Sequence, residues 1–186
     1  MPHGDNSCGS ERVINLVITI IIGGFNMSTK IKEIDYTESI TSLLKSNNII
    51  ILPNNVNDPS ADILLYPNTT FSLIKEFKAN GLVANLFEIN GKQIAYQDNR
   101  SIDWIAPTLF VTSSLLSQNP ELVNIALNVI SNYLIYIFNG IKKDPTTKLT
   151  LVHRDDMKMR YTKINYDGPV SGLSEVKDII RKLDHE

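Results

Sequence analysis

The stretch NPELVNIALNVISNYLIYIFNG, residues 119–140, decides how this chain must pack. Asn119 supplies an N-cap acceptor, Pro120 tolerates the first helical turn because its missing N–H costs nothing there, and Glu121 sits near the positive dipole end. The pattern predicts a long helix over 120–139, stopped at Gly140. On a helical wheel Asn124, Asn128, Asn132 and Asn139 share a narrow sector with Ser131 at its edge. Leu, Ile, Val, Tyr and Phe occupy the rest.

A helix apolar over so much of its circumference must be buried on several sides, by its own domain, a second subunit or lipid. The Asn ladder argues against lipid, because uncompensated amides in hydrocarbon are costly. Between Trp104 and Ile141, Glu121 is the only Asp, Glu, Lys or Arg. Two readings follow. The helix is a central core helix with its Asn stripe at the surface, or the charge-poor region 104–141 is a self-association or partner surface with Asn124, Asn128 and Asn132 in the interface.

Working outward, Lys148–His153 and Lys158–Tyr166 alternate about the polar turn Arg154-Asp155-Asp156 and predict a hairpin over 148–166. Asn90-Gly91 separates Leu82–Glu88 from Lys92–Gln97, so a type I′ hairpin is expected over 82–97. Ile49–Leu52 and Asp62–Tyr66 read as short buried strands. Asp35-Tyr36-Thr37-Glu38 has capping-box spacing ahead of a helix near 36–47. A second helix follows Thr70, with Phe71, Ile74 and Phe77 on one face and Gly81 as its C-cap. Ser101–Gln118 fits a strand, a helix or both. Ser171–Ser174 opens a terminal helix with Leu173, Val176, Ile180 and Leu183 in one stripe. The expectation is an α+β or α/β single domain: a small, mainly antiparallel sheet packed with about four helices.

The whole chain has 186 residues, 18 Lys+Arg against 20 Asp+Glu, and a net charge of −2. That balance offers no general electrostatic attraction for nucleic acid or an anionic membrane. Val13–Phe25 is strongly apolar, but Asp5 and Glu11 flank it beside a single Arg12, no small-residue cleavage site follows, and the run falls short of the ~20 residues a spanning helix needs. Gly23-Gly24 can be encoded by a purine-rich ribosome-binding sequence at suitable spacing before Met27. Residues 1–26 are therefore expected to be a translated leader or disordered tail, and 27–186 the domain. The only cysteine, Cys8, lies in that leader, so the remainder fits a reducing cytoplasm.

Motifs for chemistry are sparse. His153-Arg154-Asp155-Asp156 resembles a kinase catalytic loop only superficially, since Arg160 stands where that loop needs Asn, and a charged turn in solvent is the simpler reading. Asp62 with Glu76-Phe77-Lys78 matches the bare acid…E-x-K pattern of metal-dependent nucleases, yet Glu76 and Lys78 fall on different faces of a helix. Gly168–Gly172 precedes a helix but has no phosphate-loop lysine. No metal or cofactor site is expected. The expected function is a cytoplasmic, non-catalytic interaction or regulatory subunit that self-associates through 104–141. The alternative is a small-ligand-binding protein or metal-dependent hydrolase or nuclease with a pocket near Asp98–Asp103 and the 148–166 hairpin. Its candidate catalytic residues are Asp98, Asp103, His153 and Asp155, with Arg100 nearby.

Overall fold

A computed structural model describes residues 16–22, 25–34, 47–58, 60–98, 104–138 and 143–185. The apolar runs at Ile49–Leu52 and Ile63–Pro67 form strands β3 and β4. Strands β9 (Thr146–Asp155) and β10 (Arg160–Pro169) make the expected antiparallel hairpin. Around it assembles an eight-stranded sheet with the path β1 (Leu16–Ile22), β2 (Phe25–Ile34), β10, β9, β8 (Thr108–Thr112), β3, β5 (Ala84–Leu86). The short β7 (Trp104–Ile105) runs beside β9 ahead of β8, and Ala106-Pro107 interrupts the two, as proline does in a ladder. The helices are α1 (Thr70–Ala79), α2 (Ser113–Gln118), α3 (Leu122–Ile137) and α4 (Ser174–His185), the last preceded by a 3-10 turn over Val170–Leu173. The expected helix over 36–47 falls on residues outside those described.

The sheet is mixed and larger than the small antiparallel one anticipated: β9–β8 and β3–β5 are parallel pairs. The anticipated 82–97 hairpin does not form. Gly91 takes a φ of 86° while Asn90 stays negative, so only the second central residue is left-handed, as in a type II rather than a type I′ turn. A type II turn does not match the twist of paired strands, and its arms part. Ala84–Leu86 joins β3, where Phe87 N–H reaches the Ile51 carbonyl at 2.9 Å. The other arm, β6 (Gln93–Gln97), pairs in parallel with β4 in a separate two-stranded sheet.

Period-two alternation sorts the large sheet into two faces. Ile49, Ile51, Leu109, Val111, Leu149, Leu151 and Ile164 face all four helices and share their main core. Ile50, Leu52, Phe110, Val152 and Tyr161 point the other way into a smaller cluster with Phe87. In α1 the buried stripe is Thr70, Leu73 and Phe77. Phe71, expected to face inward, is outside it and stacks on Tyr96 at 4.5 Å between ring centroids. Gly81 caps α1 with a φ of 76°. In α4, Val176 and Ile180 are buried as the stripe predicts.

Helix α3 is shorter and less enclosed than the sequence suggests. Pro120 and Glu121 form a turn before it, and the helix starts at Leu122. Val123, Ala126, Leu127, Val129, Ile130 and Leu134 are buried, each of the larger aliphatic side chains contributing about 1.5–3 kcal/mol. The opposite face carries Asn128 and Asn132 together with exposed Ile125, Ile135 and Tyr136, the last 78% exposed. Among the described residues, no helix is long and apolar enough to cross a membrane.

Candidate functional site

The exposed side of α3 does not look onto open solvent along its whole length. The 3-10 turn and the first residue of α4 rise opposite it, and the Lys143–Thr146 segment closes one end, leaving a groove of about 810 Å³. Asn124, Asn128 and Ser131 from the polar stripe line one wall. Ser171 and Ser174 line the other, and Leu127, Ile135, Val170 and Leu173 supply apolar surface. The size is that of small-molecule sites, which pair apolar walls with a few placed polar groups.

The far wall is tied down by its own hydrogen bonds. Asp144 accepts from the Ser171 N–H at 3.2 Å and the Ser171 hydroxyl at 2.6 Å, and Val170 N–H reaches the Pro145 carbonyl at 2.9 Å. Beneath it the buried Tyr166 hydroxyl donates to the Pro169 carbonyl. Burial pushes the Tyr166 phenol well above the usual tyrosine range, with the charges of Glu175 and Asp144 adding to it. Burial, and then the Asp178 charge, also raise the Glu175 carboxyl.

On the α3 wall Ser131 spends its hydroxyl on the Leu127 carbonyl at 2.8 Å, and Asn124 donates to Glu121 at 3.0 Å. Glu121 also pairs with Arg181 at 3.1 Å and Lys177 at 3.8 Å, pinning the start of α3 to α4 around a smaller cleft of about 270 Å³. What remains for a ligand, among the described residues, includes the Asn128 carboxamide, the free oxygen of Asn124, the Ser174 hydroxyl and the Lys143 ammonium. Groups of this kind can bind and orient a ligand. Among the described residues no three His, Cys, Asp or Glu side chains cluster as a metal site.

Among the described candidates, the structure keeps Asp98 apart from His153 and Asp155, which both lie on β9. Asp98, just after β6, accepts from Asn68 at 2.6 Å, and the neighbouring Thr69 hydroxyl reaches the Ile105 carbonyl at 3.0 Å beside the start of β9. His153 lies buried near the other end of β9, five residues beyond Lys148, or ~17 Å along a strand. Asp155 accepts the Met157 and Lys158 N–H groups, both at 3.0 Å, and so serves its own turn. The Lys158 hydrogen bond, chiefly, holds the Asp155 carboxyl below the usual carboxylate range, assisted by the Met157 N–H and the Lys158 charge. Asp103 and Arg100 lie outside the described residues.

His153-Arg154 is not a solvent turn either, since both residues belong to β9 inside the sheet. Arg154 is 6% exposed, its guanidinium 5.8 Å from the Tyr161 ring centroid, 3.3 Å from Met159 Sδ and 3.4 Å from Asp156. Of the interface residues, Asn124 and Asn128 line the groove, while Asn132 is exposed outside it. The Asn ladder marked one wall in the sequence. The opposite wall, from 143–146 and 170–174, had no sequence signal tying it to α3. No protein-family model matches the chain, and searches of characterised proteins and of solved structures return no match.

Proposed function

We propose that the chain is a non-catalytic binding protein, an interaction or regulatory subunit of the cytoplasm, whose working surface is the groove along α3. The groove's volume and lining carry this reading: an apolar floor, the Asn124 and Asn128 amides, and Lys143 as the only cation among the described residues that line it. Such a lining favours an amphipathic ligand with an apolar body and an anionic or hydrogen-bonding head. Native mass spectrometry of the untagged protein tests it. A bound compound of small-molecule mass is expected, lost in Asn128→Trp, which fills the groove from an exposed position and leaves the fold intact. An empty protein that gives no saturable response to a simple anionic amphiphile such as decanoate would end the proposal.

Self-association through 104–141 stands as the second reading, supported by exposed Ile125, Ile135 and Tyr136 on a helix with no charged residue between Leu122 and Ile137. Tyr136→Lys is expected to abolish oligomers formed that way. Oligomers unchanged by it would exclude the α3 face.

A further inference from the structure

The two edges of the small β4–β6 sheet are treated differently. The outer edge of β4 is covered: Asn54 N–H donates to the Leu65 carbonyl at 2.7 Å, and the Asn55 side chain accepts from Leu65 N–H at 2.9 Å and donates to the Ile63 carbonyl at 2.8 Å. The outer edge of β6 pairs with no strand among the described residues. Its sequence, Gln93-Ile94-Ala95-Tyr96-Gln97, has none of the charges, prolines or bulges that usually guard an edge.

The register shows which backbone groups that edge presents. Gln93 N–H bonds to the Asp62 carbonyl at 3.0 Å and the Gln97 carbonyl accepts from Asn68 N–H at 3.1 Å. In a parallel ladder a residue turns both its backbone groups to one neighbour, so Gln93, Ala95 and Gln97 face β4. The N–H and C=O of Ile94 and Tyr96 therefore point outward.

We propose that β6 pairs with β6 of a second copy of this chain, antiparallel about a two-fold axis at Ala95. The strand is its own complement in that register. Ile94 falls opposite Tyr96 of the second copy, a favourable branched–aromatic pair that closes both of its N–H···O=C bonds. Ala95 meets Ala95 at the close, non-hydrogen-bonded position, where a small side chain fits. Gln93 meets Gln97. One step outside the strand, Lys92 meets Asp98, so each end of the ladder is closed by opposite charges. Ile94 and Tyr96 are 37% and 38% exposed, and Phe71, 52% exposed and stacked on Tyr96, extends the apolar surface beside them. Two marginal two-stranded sheets become one of four strands. The pairing is independent of the groove and uses a different surface from the α3 face.

Sedimentation velocity of the full chain tests the pairing, with circular dichroism as the check on folding. The wild type is expected to dimerise. Ile94→Pro removes an outward N–H without touching the β4 ladder and is expected to give a folded monomer. Lys92→Glu sets like charges opposite each other at both ends and should weaken the dimer about tenfold, and Lys92→Glu with Asp98→Lys should restore it. Should Ile94→Pro fail to fold, the charge-reversal pair decides alone. A wild type that stays monomeric up to about 100 μM, a folded Ile94→Pro that still dimerises, or a dimer insensitive to Lys92→Glu but broken by Tyr136→Lys would each overturn the proposal.

Discussion

The Ser171 hydroxyl donates to Asp144 at 2.6 Å, joining the segment that closes one end of the groove to the turn that forms its far wall. Because Asp144 also takes the Ser171 N–H, it acts as the cap of the 3-10 turn leading into α4. Asp144→Ala should cost about 1 kcal/mol of stability, the usual loss for a capping carboxylate. Its larger effect should be on the groove, whose far wall loses its anchor. Thermal melts and native mass spectrometry measure the two together, and ligand retention unchanged in the variant would show that the wall needs no anchor.

Two buried phenols predict how the fold fails in base. Tyr66 donates to the Phe87 carbonyl and Tyr166 to the Pro169 carbonyl, and burial raises both above their ordinary value of 10.0. A group whose pKa is raised on folding contributes stability that is fully present below its unfolded value and is lost as the pH climbs toward its folded value. Stability should therefore fall from about pH 10 upward. Tyr66→Phe with Tyr166→Phe should flatten that fall, at the cost of two hydrogen bonds at neutral pH. Urea melts from pH 8 to 11 provide the measurement.

The same buried contacts show why the sequence is readable in some places and not in others. The 148–166 hairpin, the Ile49–Leu52 strand and the terminal helix are legible because a local period fixes which side chains are buried. The 82–97 segment misleads because Asn-Gly permits a type I′ turn without requiring one, and Phe87, buried against Ile50 and Leu52, draws the first arm to β3. The helical stripe in α1 shifts by a residue for a related reason: Phe71 finds Tyr96, a partner from another sheet, at a place no local pattern specifies. The groove was half legible, since the Asn ladder is periodic while its opposite wall arrives from residues 143–146 and 170–174 through the topology alone.

Arg154 illustrates a further consequence of that topology. Its charge is buried between β8 and β10, with Asp156 as counter-ion, and Asp156 in turn accepts from the Ser114 N–H at 2.9 Å at the start of α2. Removing the anion leaves the cation buried and poorly compensated. Asp156→Ala should cost about 3 kcal/mol, the range for breaking a buried pair from one side. Replacing both partners, Arg154→Met with Asp156→Ala, should recover part of that loss. A double-mutant cycle in guanidinium checks the pair, and additive effects would mean that the two do not act together.

The last prediction concerns a chain shortened to residues 27–186. Among the described strands β1 pairs only with β2, whereas β2 pairs with β10 through Ser28–Ile34, all of it after Met27. Removing residues 1–26 therefore deletes one edge strand and keeps every β2–β10 pair. The 27–186 chain should fold, with β2 as the new edge. Lys30 and Lys32 lie on that edge, and lysines protect edges against further pairing. Its melting temperature should fall by no more than ~4 °C, the shift that about 1 kcal/mol produces in a domain of this length, and its β6-mediated dimer should be unaffected. Calorimetry and sedimentation of the two forms side by side make the comparison. A 27–186 chain that is unfolded would show that β1 is integral to the domain.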